Sequence, residues 1–419
     1  MFNVIADEKA SDEARLKKVK YLVYLGADVN ARFYGKSVLS KAIEKEVGVQ
    51  VVEFLREKGA NEWVIPKEEG LELSQGFWND KGDLKSIEEI KELLKKGADV
   101  NASNKYGDTA LMIASEKGHM DVVKCLAECG VDVNASDKHG RTALMKAAIW
   151  GHLDVVKYLV EHGADLEAKD GDGQTALMVV ASLRKLNVVK CLVECGADLE
   201  AKDGYGRTAL MMSAYNGHLE VVKYWAECGA DLDAKDGDGR TAMMMAAHSG
   251  RLEVVKYLAE CGADLEAKDK AGQTALIKAA INEQLDVVKC LMDNGADLDA
   301  SDKHGKTALM KAASWGKLDV VKCLAEHGVD FDAKDKEGKT ALMEAANWGK
   351  LDVVKYLAEL GADLEAKDGD GETAFDIARM WGRVDCVEFL EEAQKKNLSQ
   401  KTKGNKTGGS HIAKAGEGR

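Results

Sequence analysis

The 419-residue chain holds a single proline, Pro66, and no apolar run approaching the ~20 residues needed to span a bilayer. Its start, Met1 to Lys20, mixes charged and apolar residues and lacks the apolar core of a secretory signal. Together these absences predict a cytoplasmic protein without a membrane span, although secretion without a cleaved signal would leave no trace here. Positive charge is also short, with 59 Lys+Arg against 72 Asp+Glu and a net charge of −13. The last 26 residues, from Gln394, carry seven Lys/Arg and one Glu, so everything before them sums to −19. Phosphate binding needs clustered cations, so the main body is not expected to bind nucleic acid. The same charge helps to keep an extended surface soluble.

What the chain has in abundance is period. From Gly97 a step of 33 residues lands on Gly130, Gly163, Gly196, Gly229, Gly262, Gly295, Gly328 and Gly361, each opening a Gly-Ala/Val-Asp triplet. In phase with it run Thr109, Thr142, Thr175, Thr208, Thr241, Thr274, Thr307, Thr340 and Thr373, each followed by Ala. A unit this short cannot bury its own apolar face, so copies must stack into a solenoid.

The unit from Ala300 to Asp330 shows the local physics. Asp302 to Lys306 is a turn with Gly305 at its tip. Thr307 suits a helix N-cap. A first helix, Ala308 to Trp315, is dense in small residues, so neighbouring helices can approach closely, and Gly316 ends it as a left-handed C-cap. A second helix, Leu318 to Glu326, places its apolar residues on one side and its charges on the other, and Gly328 closes it.

This turn, helix, glycine, helix and Gly-Ala-Asp loop resembles the ankyrin repeat, closely over Gly97 to Gln394 and more loosely over Arg15 to Asn61. The resemblance implies an all-α fold, an α-solenoid with short β-turn fingers. The expected domains are divergent repeats over 1–96 with an irregular insertion at 62–82, a regular array with its C-terminal cap over 97–394, and a disordered basic tail over 395–419. Where the family reads Thr-Pro-Leu-His, this chain reads Thr-Ala-Leu-Met, as at Thr307 to Met310. Ala is a strong helix former and Met can fill the volume of the lost His, so the fold should survive.

Several positions depart from the stamp. Arg184 and Glu283 stand where other repeats have the helix-ending glycine, and a left-handed cap there costs roughly 1 kcal/mol more than with Gly. The insertion, with Trp63, Pro66, Phe77 and Trp78, is read as a degenerate repeat whose aromatics patch a local core, against a protruding contact loop. The tail is read as a solvated terminus, against a cationic arm for RNA, an acidic lipid surface or the array's own acidic flank. Cys125, Cys191, Cys290 and Cys323 share one repeat position, and Cys129, Cys195, Cys228 and Cys261 share another. Both alternate with Leu, Ala, Tyr, Asn or His elsewhere, so these are expected to be reduced thiols acting as small apolar fillers. Zinc at Cys125/Cys129 or Cys191/Cys195 would lack third and fourth ligands.

Positions four, seven and eight after the Thr share one face of the first helix, the face that lines the concave groove in ankyrin-like proteins. They vary from unit to unit while the framework does not. From them the candidate partner-binding residues are Lys146, Ile149, Trp150, Met212, Tyr215, Met245, His248, Lys278, Lys311, Trp315, Glu344, Trp348, Met380 and Trp381. Trp315, Trp348 and Trp381 recur in three successive units and should form a row. They are read as contacts for a partner, against indoles that only cap their own turns. The turn tips Tyr106, His139, Tyr205 and His304 are a second candidate surface.

Catalytic motifs are missing. Gly305-Lys306-Thr307 and Gly338-Lys339-Thr340 mimic a phosphate-loop end, but Ala300 and Ala333 replace its first glycine. The Asp-Gly-Asp-Gly runs at 170, 236 and 368 lack the rest of a calcium loop. There is no His-Glu-x-x-His and no nucleophile elbow. His119, His152 and His218 follow the first helix where the family uses His structurally. No cofactor, metal site or catalytic residue is expected. The expectation is a monomeric, non-catalytic scaffold for a protein or peptide partner, with a secreted effector acting on host proteins, or a small enzyme module within 1–96, as alternatives.

Overall fold

The structure is a computed structural model that describes residues 84–407 continuously and, before them, 16–20, 22, 32–33, 36–37, 51, 54–55 and 77, with side chains as far as 396. Trp63, Pro66 and Trp78 lie outside the described residues, and so do most of 1–83 and all of 408–419. The chain forms two compact units, residues 1–176 with 190–197, and residues 177–189 with 198–419.

In the first unit β1 (Arg32–Phe33) pairs antiparallel with β2 (Lys36–Ser37). Five helices follow: α1 (Ile87–Lys95), α2 (Ala110–Lys117), α3 (Met120–Glu128), α4 (Ala143–Trp150) and α5 (Leu153–Glu161). Helix α6 (Ala176–Ser182) belongs almost wholly to the second unit, and α7 (Leu186–Glu194) is divided between the two. The second unit continues with six first-and-second helix pairs: α8 (Ala209–Asn216) with α9 (Leu219–Glu227), α10 (Ala242–His248) with α11 (Leu252–Glu260), and α12 (Ala275–Ile281) with α13 (Leu285–Asp293). Then come α14 (Ala308–Trp315) with α15 (Leu318–Glu326), α16 (Ala341–Asn347) with α17 (Leu351–Glu359), and α18 (Ala374–Met380) with α19 (Val384–Thr407). Two layers result. The first helices α8, α10, α12, α14, α16 and α18 pack each on the next, and the second helices α9 to α19 do the same behind them. In the first unit α2 packs on α4, and α1, α3 and α5 follow one another in the second layer.

Each repeat forms for the reasons its sequence states. The Thr hydroxyl accepts from the N3 amide, at 3.3 Å in Thr109 and 3.4 Å in Thr142, Thr208, Thr241, Thr274, Thr307 and Thr340. The Met at N3 fills the space of the family's His and is buried in α2, α4, α8, α10, α14 and α16. In α2 and α16 its sulfur also takes up the Thr amide, with Thr109 N–H to Met112 Sδ at 3.5 Å and Thr340 N–H to Met343 Sδ at 3.4 Å. The thioether is a weak acceptor, but it closes the capping box that Glu or Gln would otherwise close. Gly316 caps α14 at φ 73°, and Arg184 and Glu283 hold the same left-handed conformation without glycine, at φ 59° and 58°.

Behind the first helices, the Val-Val pair and the following Leu of each second helix are buried, as at Val320, Val321 and Leu324. The ninth repeat ends differently from expectation. Helix α19 does not stop at Gln394 but has helical backbone to Thr407. Its Glu, Gln, Lys and Asn residues include no proline, and no glycine before Gly404, so nothing in them breaks the helix earlier. Gln394 Nε2 also donates to Glu365 Oε1 at 3.0 Å in the preceding loop.

The fingers join repeat to repeat. Asp302 Oδ1 accepts from the amides of His304 (2.8 Å) and Lys306 (3.0 Å), folding the tip, and the Lys336 amide donates to His304 O at 3.0 Å. A Cβ on Gly305 would stand 2.8 Å from the Lys336 amide, so this close approach requires glycine. The Asp-Gly-Asp-Gly runs fold in the same way, Asp170 Oδ1 accepting from Asp172 and Gln174 at 3.0 and 2.8 Å. They are turns.

Candidate protein-binding face

The three candidate positions of the first helix prove unlike one another. Position four lies low and is engaged. Lys146, 6% exposed, sits among Asp108 (2.7 Å), Asp137 (3.2 Å) and Glu116 (3.6 Å). Lys278 pairs with Asp269 and Lys311 with Asp302, each at 2.7 Å, and buried Glu344 accepts from Lys306 at 2.7 Å. Met212 and Met245 are buried. Of these six, Lys146, Lys278, Lys311 and Glu344 tie the helix to the fingers, and Met212 and Met245 belong to the core. The structural signal was in the sequence, since an Asp at the finger base precedes the Lys by nine residues in Asp137/Lys146, Asp269/Lys278 and Asp302/Lys311. Where position four is acidic, the cation comes from the preceding finger.

The finger aspartates are tuned by this arrangement. Burial pushes the Asp302 carboxyl up, but the Lys311 ammonium and the Lys306 and His304 amides outweigh it and hold it below its ordinary range. Asp137 is likewise raised by burial and lowered further by the amides of Arg141 and His139 and by Lys146. At two other fingers an Arg is the partner, Arg207 Nε donating to Asp203 Oδ2 and Arg240 Nε to Asp236 Oδ2, at 2.8 Å in both.

Position seven is mixed. Ile149 is half-buried, while Tyr215, His248 and Met380 are exposed. His248 Nδ1 meets Asn282 Nδ2 at 2.9 Å, and crowding together with Lys278 and Arg240 holds the imidazole pKa down. A neutral ring suits accepting from the amide. At Tyr215 the carbonyl, not the phenol, is engaged, accepting from Arg251 Nε at 3.0 Å.

At position eight Asn216 and Asn282 hydrogen-bond within the array, but the indoles are open. Trp150, Trp315, Trp348 and Trp381 are 59%, 60%, 56% and 60% exposed. Each ends its helix or caps it, next to the left-handed glycine where the chain turns away. No hydrogen bond or ring contact engages any of the four indoles among the described residues. Leu183 occupies the same position and is also exposed. Trp225 is a different case: it lies in the second-helix layer, 1% exposed, with Nε1 donating to Ser213 Oγ at 3.0 Å. Ser213 stands where most repeats have Ala, and Trp225 where most have Leu, so one exchange accompanies the other.

At the finger tips, Tyr106, His139, Tyr205 and His304 all expose their side chains. Lys105 Nζ lies 4.9 Å from the Tyr106 ring centre and the Arg207 guanidinium 4.9 Å from that of Tyr205. The tip carbonyls are used in the ladder: His139 O accepts from Gly171 N–H at 2.7 Å and Tyr205 O from Gly237 N–H at 2.8 Å. The histidines after the first helix are structural, as the family position implies. His152 Nε2 meets Glu116 O and His218 Nε2 meets Ser182 O, both at 2.9 Å.

All nine cysteines are free thiols, five of them buried. Burial pushes up the thiols of Cys125, Cys290, Cys323 and Cys386, and that of Cys191, which also faces Cys195, to about 11. Thiols so disposed are poor nucleophiles and pack as fillers. Cys195 and Cys261 are exposed, so the filler reading does not extend to them. Among the described residues no cluster of three metal-ligating side chains occurs, and no helix is long and apolar enough to cross a membrane.

Repeats that stack through fingers and two helical layers define a protein-interaction module. The family model for ankyrin repeats matches residues 82–401 in six overlapping segments, and the chain belongs to the ankyrin-repeat family. A search of curated proteins gave no match.

Proposed function

We propose that this chain is a non-catalytic scaffold that docks a protein or peptide along its first-helix face, with Trp315, Trp348 and Trp381 as the anchors. One observation carries the reading: within the second unit, exposed large apolar side chains recur at the end of the first helix, in Leu183, Tyr215, Trp315, Trp348, Met380 and Trp381. Exposed indoles cost solubility and here make no hydrogen bond or ring contact among the described residues, whereas Trp is over-represented among interface hot spots. The finger tips Tyr106, His139, Tyr205 and His304 form a second, smaller contact in this reading. The acting species is a cytoplasmic monomer, with residues 1–96, 97–394 and the basic segment from 395 as its parts.

Cross-linking capture from cell extract tests the proposal. The variant with Trp315→Ala, Trp348→Ala and Trp381→Ala should lose the partners that the parent retains. An unchanged set of captured proteins would remove the Trp face from the account.

A further inference from the structure

The spacing of the indoles restricts what can lie on them. Trp315 ends α14, and Trp348 and Trp381 cap α16 and α18, three helices packed each on the next. Packed helices lie about 8–10 Å apart, so the indoles recur at about that step. A polyproline II chain has three residues per turn and rises about 9.3 Å per turn, so every third side chain falls on one line at the same step. A β-strand sends residues i and i+3 to opposite faces. An α-helical ligand reaches the step only at i, i+7, about 10.5 Å, and its carbonyls are already engaged. The three indole N–H groups have no acceptor among the described residues. A polyproline II backbone, without internal hydrogen bonds, offers its carbonyls to such donors.

Charge selects further. The stem of Lys350 lies against Gly316, the residue after Trp315, where an added Cβ would stand 2.8 Å from Lys350 Cδ. The stem of Arg383 lies in the same way against Gly349, after Trp348, at 2.9 Å from Cδ. In an acidic protein, a cationic side chain thus lies against the glycine that follows each of the first two indoles. Lys350 has no acidic partner among the described residues, and Arg383 uses Nε on Asn347 O at 3.0 Å, leaving its terminal N–H groups without an ion pair. Asp352 and Asp385 lie two residues further on, in the first turns of α17 and α19, and pair with neither cation.

Resting on the Trp face proposed above, we infer that its occupant is an acidic, proline-rich segment in polyproline II conformation. Proline or another apolar residue at every third position meets an indole, and Asp or Glu between them meets Lys350 and Arg383. The probe is a capped peptide of Pro-Pro-Glu repeated five times, titrated calorimetrically into the full chain. Three comparison peptides accompany it: Pro-Pro-Lys repeated five times, the acidic composition with Gly-Ser pairs breaking the three-residue period, and a helical peptide of equal acid content. Saturable binding by the first peptide alone is expected, weakened about 30-fold by Trp348→Ala and abolished by Lys350→Glu, with helical circular dichroism unchanged. No saturable binding of the Pro-Pro-Glu peptide, or binding indifferent to Trp348→Ala, would overturn the inference. Trp348-dependent binding of the helical peptide instead would also overturn it while leaving the Trp face in place. Loss of the face itself would show separately, as cellular partners retained after all three indoles are removed.

Discussion

Two rows run along the same helices only four residues apart, and they differ in what holds them. At position four, Lys146, Lys278, Lys311 and Glu344 vary in sign and size, yet each finds an opposite charge within the repeats. At position eight, Trp150, Trp315, Trp348 and Trp381 vary against Lys117, Asn216, Ser249 and Asn282 in other repeats, and the indoles find nothing. Variation on a stamped scaffold therefore has two sources. One is compensated inside the protein, and the other is left open to whatever approaches from outside.

The largest effect is expected where an engaged side chain is removed as if it were open. Lys146→Met removes the cation from a site shared by Asp108 and Asp137, and breaking such a buried pair should cost about 3 kcal/mol, read as a fall in the denaturant midpoint of unfolding. The pH dependence sharpens it. Because Asp137 and Asp302 have pKa values lowered by folding from an ordinary 3.8, their stabilisation is complete above that value. It is lost as pH falls through the lowered pKa. The acid limb of stability below about pH 4 should flatten in Asp302→Asn, and an unchanged limb would contradict the assignment.

Trp348→Ala tests the open row from the other side. It should leave unfolding within about 0.5 kcal/mol of the parent and cost at least about 2 kcal/mol in partner affinity. In the core, Ser213→Ala strips the acceptor from the buried Trp225 indole and should cost about 1–2 kcal/mol, while adding Trp225→Leu restores the pairing used by most repeats and recovers most of the loss. The smallest effect is a gain. Arg184→Gly relieves a left-handed φ of 59° and should raise stability by about 1 kcal/mol, detectable as a higher melting temperature.

Much of the fold was legible because the repeat fixes register. The Thr cap, the left-handed Gly316 and the strained Arg184 and Glu283 all follow from one unit read as backbone chemistry. The exposure of the Trp row was legible too, since position eight falls where the helix ends. What escaped depends on contacts between units or on side-chain reach. A Lys on the groove face reads as solvated until its Asp nine residues earlier is seen folding back beneath it. Ser213 and Trp225, twelve residues apart on different helices, read as separate substitutions until the hydrogen bond joins them. The length of α19 was missed because a polar, lysine-rich stretch reads as solvated coil, although its residues are adequate helix formers.

The central claim, that position eight binds while position four builds, is tested most directly by one titration. A captured partner is titrated against the parent and against the chain carrying Trp315→Ala, Trp348→Ala and Trp381→Ala, with thermal unfolding recorded on both samples. The account predicts an unchanged melting temperature and an affinity reduced by at least about 30-fold. Equal affinity, or an affinity loss accompanied by an equally large loss of stability, would contradict it.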